Sequence, residues 1–208
     1  MTADRHVAAF DLDGTLTHRD TLIPWLAHVR GPVRTAIAFG AGFPRTAAAL
    51  AGLGSRDEAK ERLFRRLLAG ATLAELQASV DGFVDRLVRS RVRPGILAIA
   101  HAHRAQGHEL VIVSASPELY VDRVAAALGF DAGLGTRLEV DGDGRLTGRI
   151  QGRNCRGPEK VERLRAWLGG DAVVHAYGDS SGDRDLLALA GPNGTLVRRT
   201  RRLRSRGR

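Results

Sequence analysis

The sequence predicts an α/β domain built on a parallel sheet, with an α-helical block inserted after its first strand. Three observations carry this reading. Short apolar runs at His6–Asp11 (HVAAFD), Glu109–Val113 (ELVIV) and Ala172–Tyr177 have the length and composition of buried strands. Strand-like and helix-like stretches alternate through the second half of the chain, as a parallel sheet requires. Between Asp20 and about Arg91 no strand pattern occurs.

The elements follow in order. His6–Asp11 is the first strand, closed by the turn pair Asp13-Gly14. Four helical stretches come next: Thr21–Val29, Pro32–Leu53, Arg56–Leu68 and Leu73–Ser90. Asp57 with Lys60, and Glu58 with Arg62, have the spacing of favourable helical charge pairs. Pro94 suits the first turn of a helix that reaches about Gln106 and ends at Gly107. The strand Glu109–Val113 leads to a helix at Pro117–Leu128, closed by Gly129. Leu138–Val140 and Arg145–Ile150 flank Asp141-Gly142-Asp143-Gly144 as a hairpin. A helix at Glu159–Leu168, the strand Ala172–Tyr177, a helix at Arg184–Ala190 and a short strand at Thr195–Val197 complete the chain.

Composition narrows the function classes. The 208 residues are 43% hydrophobic and 26% charged, which is ordinary for a globular chain. A single cysteine, Cys155, excludes an intramolecular disulfide. No apolar run is long enough to span a membrane, and the acidic residues near the N-terminus do not suit a signal peptide, so a cytoplasmic location is expected. The net charge of +9 is unevenly placed: residues 198–208 hold seven arginines, and without them the chain carries +2. The body is thus nearly balanced, and a stable nucleic-acid partner is not expected. Weak anionic contacts are expected only from the basic tail.

Two acidic clusters carry the chemistry. In Asp11-Leu12-Asp13-Gly14-Thr15, two carboxylates two residues apart on extended chain point the same way. They stand after a strand, where parallel sheets bind ligands. Adjacent carboxylates repel unless one is protonated or a cation lies between them, and a hard divalent ion such as Mg²⁺ suits oxygen ligands. Gly178-Asp179-Ser180-Ser181-Gly182-Asp183 again follows an apolar strand, which brings Asp179 and Asp183 beside Asp11 if the strands are parallel neighbours. Ser114 follows ELVIV and offers a hydroxyl to an anionic oxygen. Lys160 is one of only two lysines among 32 basic residues, a compact ammonium where a small anion sits near carboxylates.

These four pieces, in this order, resemble the haloacid dehalogenase superfamily. Within it, DGTLT, SASP, NC, K and GDSSGDRD resemble the phosphoserine-phosphatase-like branch. The resemblance implies a Rossmann-like core from residues 1–18 and 92–197, a helical cap at 19–91 and a basic tail at 198–208. It implies Asp11 as a nucleophile forming an aspartyl-phosphate and Asp13 as the acid and then the base. Mg²⁺ would be held by Asp11, Asp13 through its backbone carbonyl, Asp179 and Asp183. Ser114 and Lys160 would stabilise the phosphoryl charge. Asp13 argues against a dehalogenase, which has no leaving alcohol to protonate.

The expected substrate is a small phosphorylated metabolite, phosphoserine first. Asp20 is placed for its amino group and Arg56 or Arg62 for its carboxylate, with Ser114, Ala115 and Lys160 around the phosphate. Asp20 also suits a helix N-cap. Ala115 and Gly182 depart from the branch's usual glycine and side-chain amide. The apolar residues Leu22, Ile23, Trp25, Leu26, Ile37, Phe39 and Phe43 suit cap packing or, alternatively, an apolar, lipid-derived phosphomonoester. A further alternative is a non-enzymatic polyanion-binding protein using the tail. His101, His103 and His108 straddle a helix end without a cysteine partner and are read as surface or packing residues. Asp141–Gly144 is read as a plain turn, Cys155 as packed, and Trp25 and Trp167 as packing residues.

Overall fold

The computed structural model describes residues 5–40 and 56–198, the side chain of Arg56 excepted. The sheet has five strands in the order β3-β2-β1-β6-β7, all parallel. They are β1 (His6–Phe10), β2 (Glu109–Pro117), β3 (Ala132–Thr136), β6 (Val173–Gly178) and β7 (Gly194–Leu196). A separate antiparallel pair, β4 (Leu138–Val140) and β5 (Leu146–Ile150), forms the expected hairpin. At its turn, Asp141 Oδ1 accepts from the amides of Asp143 and Arg145, which makes it the plain turn the sequence suggests.

β1 is central, and Val7 to Phe10 are fully buried because helices cover both faces. Alternate residues divide two cores. Ala8, Phe10, Leu110 and Ile112 face one layer; Val7, Ala9, Val111, Val113, Val174 and Ala176 face the other. The second layer is closed by α7 (Pro158–Leu168) and α8 (Arg184–Ala190), through Leu164, Leu168 and Leu186, with the buried Cys155 among them. The first layer is closed by α5 (Pro94–Ala105) and α6 (Glu118–Ala127).

The insertion contains α1 (Leu22–Arg30), α2 (Pro32–Gly40), α3 (Arg56–Leu67) and α4 (Leu73–Arg91). These helices share the first core: Trp25, Phe64, Leu76 and Phe83 belong to the same buried cluster as Phe10 and Ile112. α4 starts at a reciprocal cap, in which the Glu75 amide donates to Thr72 Oγ1 and the Thr72 amide to Glu75 Oε2. The two legs of the insertion are joined, His18 N donating to Arg91 O at 3.0 Å and Arg93 N to Leu16 O at 2.8 Å. The hairpin packs on the insertion as well: Leu146 N donates to Ala71 O, and Ile150 N to Glu61 Oε1.

β3 was absent from the sequence reading, because Ala132-Gly133-Leu134-Gly135-Thr136 has two glycines where a strand pattern expects branched residues. The glycines serve packing. A Cβ on Gly133 would meet the Asp122 backbone at 2.5 Å, and one on Gly135 the Glu118 backbone at 2.5 Å, so α6 lies directly on the strand. The Glu58–Arg62 ion pair is present at 3.6 Å, whereas Lys60 leaves its helix surface for the interior. Among the described residues no helix is long and apolar enough to cross a membrane.

Candidate active site

The parallel register brings the two acidic motifs together. The Asp11 amide donates to Tyr177 O at 2.8 Å, extending the β1–β6 ladder one residue past Phe10. Asp11 and Asp183 are both buried, and Lys160, 2% exposed, sits between them. Its Nζ donates at 2.6 Å to Asp11 Oδ1 and at 2.6 Å to Asp183 Oδ1. Asp11, Asp179 and Asp183 each offer an oxygen within 4.8 Å of the others. Three carboxylates therefore gather where one ammonium meets two of them, and hard oxygen donors with surplus negative charge fit a divalent cation such as Mg²⁺. The Asp13 carboxylate is not part of this group. Gly178 allows the approach, since a Cβ there would stand 2.4 Å from Asp183 Cβ.

Electrostatics differ within the group. Burial pushes Asp11 up to about 7 against the pull of Lys160, with Asp183 and Asp13 adding to the rise. Burial acts the same way on Asp183, but Lys160 and donors from Ser180 outweigh it and hold Asp183 below the usual range. Burial opposes the charge on Lys160, yet Asp11 and Asp183 together raise it above an ordinary lysine.

Asp13 occupies a separate cradle. Its Oδ1 accepts from the Thr21 amide and from Thr21 Oγ1, each at 2.7 Å; its Oδ2 accepts from Ser116 Oγ at 2.6 Å. Thr21 Oγ1 has one proton to give, so the 2.9 Å contact with Tyr120 is donated by the tyrosine hydroxyl. Burial, reinforced by Asp20, lifts Asp13 to about 6 against the donors from Ser116 and Thr21. Ser114 is fully buried, and its Oγ accepts from the Ser116 amide at 3.0 Å.

A cavity of about 750 Å³ opens above these strand ends, under the inserted helices. Asp11, Asp13, Ser114 and Lys160 form its floor, and Ala115 and Ser116 continue it. Asp20 is on the wall, and its Oδ1 accepts from the Leu22 amide at 3.0 Å, so it lines the cavity and satisfies the first amide of α1, whose N-cap residue is Thr21. Arg62 lines the wall; the Arg56 side chain lies outside the described residues, as do Phe43 and the tail beyond Arg198. The apolar residues of the insertion divide. Leu22, Ile23 and Phe39 line the cavity, Trp25 and Leu26 are fully buried, and Ile37 is exposed.

Two features were missed in the sequence. The sequence spacing pairs Lys60 with Asp57 along its helix. Its Nζ instead donates to Ala115 O and, at 2.8 Å, to Asn154 Oδ1, while Asn154 Nδ2 donates to Asp57 Oδ1 at 2.7 Å. Burial lowers Lys60 to about 8, against the opposing pull of Asp57 and Asp13. Its being one of two lysines was the available signal. Arg156 covers Gly182: a Cβ there would meet the Arg156 side chain at 3.0 Å, and Arg156 Nη2 donates to Ser181 Oγ at 2.9 Å. The guanidinium thus fills the space next to the missing amide side chain.

The chain matches the family of haloacid dehalogenase-like hydrolases over residues 8–188. It is 39% identical over 195 residues to protein CicA of Caulobacter vibrioides, covering 92% of this chain and 86% of that protein. It is 28% identical to a phosphoserine phosphatase of Archaeoglobus fulgidus, covering 90% of this chain and 51% of that protein. A crystal structure of a protein of unknown function from Bordetella pertussis superposes with a TM-score of 0.77 at 27% identity, covering 90% of this chain and 87% of that one. The chain belongs to the haloacid dehalogenase-like hydrolase family.

Proposed function

We propose that the chain is a Mg²⁺-dependent phosphomonoesterase, acting in the cytoplasm through an aspartyl-phosphate on Asp11, with phosphoserine as first candidate substrate. The observation that carries this reading is Lys160 clamped between Asp11 and Asp183, with Asp13 held apart in its own hydrogen-bonding cradle. That separation allows two carboxylates to do different work.

In the first step an Asp11 oxygen attacks phosphorus. The bond from phosphorus to the substrate oxygen breaks, and the Asp13 carboxyl proton passes to that oxygen, releasing the alcohol. In the second step the Asp13 carboxylate takes a proton from water. The water oxygen attacks phosphorus and frees Asp11 and inorganic phosphate. Ser114 and Lys160 stabilise the phosphoryl oxygens throughout. Asp11, Asp179, Asp183 and the backbone carbonyl of Asp13 are the residues for Mg²⁺, which when bound would offset phosphoryl charge. The residues 19–91 act as the cap that shields the acyl-phosphate from bulk water.

Asp20 and Arg62 on the cavity wall support an amino-acid phosphate, Asp20 meeting an ammonium and Arg62 a carboxylate. Leu22, Ile23 and Phe39 on the same wall favour the second reading, an apolar or lipid-derived phosphomonoester. The test is phosphate release by the purified chain from a panel holding an aryl phosphate, phosphoserine, histidinol phosphate, sugar phosphates, nucleotides and lysophosphatidate. Turnover with Mg²⁺ and its loss with EDTA are expected. Folded protein with no turnover on any of them overturns the proposal, and lysophosphatidate as best substrate selects the second reading. Deleting residues 199–208 is expected to leave turnover intact; its loss would overturn the separation of tail from body.

A further inference from the structure

Away from the catalytic edge, four histidines from four separate segments meet near the amino ends of the strands. His6 opens β1, His108 directly precedes β2, His175 lies in β6 and His103 in α5. Val7 pairs with Glu109 and Ala8 with His175. His6 therefore stands beside His108, and His175 falls on the same sheet face as His6. Ring centroids are 4.8 Å apart for His6–His108, 5.1 Å for His108–His175 and 5.9 Å for His6–His175. His6, His108 and His175 each offer a ring nitrogen within 4.8 Å of the others, and all three are half-buried.

We infer that His6, His108 and His175 form a binding site for an imidazole-preferring divalent transition ion of the Zn²⁺ class, distinct from the carboxylate site. The first argument is unsatisfied polarity. His6 Nδ1 and His175 Nε2 are buried with no hydrogen-bond partner among the described residues. Such groups are rare in a folded protein, and an ion satisfies both at once. The second argument is ligand chemistry: three imidazole nitrogens and no carboxylate suit Zn²⁺, Ni²⁺ or Cu²⁺ and do not suit Mg²⁺.

The third argument is orientation by the surroundings. His103 Nδ1 lies 2.8 Å from His108 Nδ1, and His103 Nε2 lies 2.8 Å from the Tyr177 hydroxyl. Of two ring nitrogens in hydrogen-bond contact one donates and one accepts: with a proton on His103 Nε2 facing Tyr177, His103 Nδ1 accepts from His108 Nδ1–H. This relay leaves His108 Nε2 as the free donor atom, the arrangement by which outer partners fix the tautomer of a metal-binding histidine. Tetrahedral coordination at about 2.0–2.1 Å brings the three nitrogens closer than they now stand, which rotation of half-exposed rings accomplishes. The bound ion would tie β1, β6 and the start of β2 together and stabilise the sheet by mass action. This does not depend on the phosphatase reading.

The experiment uses untagged full-length chain stripped with EDTA, titrated with Zn²⁺ under saturating Mg²⁺ so that the carboxylate site is blocked. One Zn²⁺ per chain is expected, with a rise in Tm. His108→Asn and His175→Asn are expected to weaken Zn²⁺ binding by at least about tenfold, and His103→Gln by about tenfold through loss of orientation. His101→Asn, on the exposed face of α5, leaves it unchanged, and all four variants keep Mg²⁺-dependent phosphate release. Should a histidine variant fail to fold, X-ray absorption of the Zn²⁺-loaded native chain decides, with imidazole nitrogen scattering expected. An oxygen-only shell, a sulfur ligand from Cys155, or unchanged affinity in folded His108→Asn and His175→Asn overturns the site.

Discussion

The floor and the wall of the cavity are built on opposite principles. The floor comes from the carboxyl ends of adjacent strands, where the backbone ladder fixes each side chain and one buried ammonium joins Asp11 to Asp183 at 2.6 Å on both sides. The wall comes from inserted helices whose cavity-facing residues mix Asp20, Arg62, Leu22, Ile23 and Phe39. The floor admits one chemistry. The wall mixes charged and apolar groups. Catalysis is therefore the property least tolerant of change, and substrate choice the property most open to it.

The largest effect separating the two belongs to Asp11→Asn. The amide is near-isosteric, so the fold is retained, but it cannot form the acyl-phosphate. Activity on every substrate is expected to fall by at least about 10³-fold, with unchanged circular dichroism. Near-native turnover would remove covalent catalysis from the floor.

Asp13→Asn comes next. Loss of a general acid–base group costs about 10²- to 10⁴-fold. On an aryl phosphate, whose leaving group needs little protonation, the loss falls on the second step, so phosphorylated enzyme accumulates and is measurable by mass spectrometry. The same variant has a stability signature. Asp13 is raised to about 6 in the folded chain, so between the unfolded carboxylate value of about 3.9 and pH 6 the folded state binds the proton more tightly. Native stability is thereby lost as pH rises through that window. Asp13→Asn removes the penalty, and a Tm a few degrees above native is expected at pH 7.5, vanishing by pH 4. An equal Tm gain at both values would place the effect elsewhere.

Lys60→Met tests the joint between the regions. Lys60 reaches from α3 to Ala115 O and Asn154 Oδ1, linking wall to floor. Thr136 Oγ1 lies 2.6 Å from Ala115 O and 2.8 Å from Asn154 Oδ1 and has one proton to give, so removing Lys60 leaves one of these two buried acceptors without a donor, at a cost of about 1–3 kcal/mol. A lowered Tm is expected, with roughly a tenfold loss of kcat/KM shared by all substrates. A substrate-specific loss would make Lys60 part of the wall's selectivity instead.

The floor was legible in the sequence because strand geometry is local. Asp11 and Asp13 follow one apolar run and Asp179 and Asp183 another, so each cluster stands at a strand end. What was not legible depends on contacts far apart in the chain. Lys60 points inward to Ala115 O and Asn154 Oδ1, 55 and 94 positions away in the chain. The four histidines carry no shared spacing until the register sets His6 beside His108. β3 reads as loop because its glycines answer to α6 lying on them, not to strand propensity. Arg156 over Gly182 is likewise a pairing across segments.

The smallest effect tests the wall alone. Asp20 has one carboxylate oxygen on the Leu22 amide and lines the cavity beside Leu22 and Ile23. If it meets the ammonium of phosphoserine, Asp20→Ala loses one charge-assisted hydrogen bond, about 1.5–3 kcal/mol, or some ten- to a hundredfold in kcat/KM for that substrate. Loss of that helix-terminal acceptor alone costs about 0.5–2 kcal/mol of stability and lowers Tm without choosing between substrates. Asp20→Asn separates the roles: the amide keeps an oxygen for the Leu22 N–H but gives up the charge. Asp20→Asn is therefore expected to keep native Tm and full aryl-phosphate turnover, and to lose phosphoserine turnover nearly as far as Asp20→Ala. Full phosphoserine turnover in Asp20→Asn would leave Asp20 as an acceptor for the Leu22 amide and hand selectivity to the apolar side of the wall.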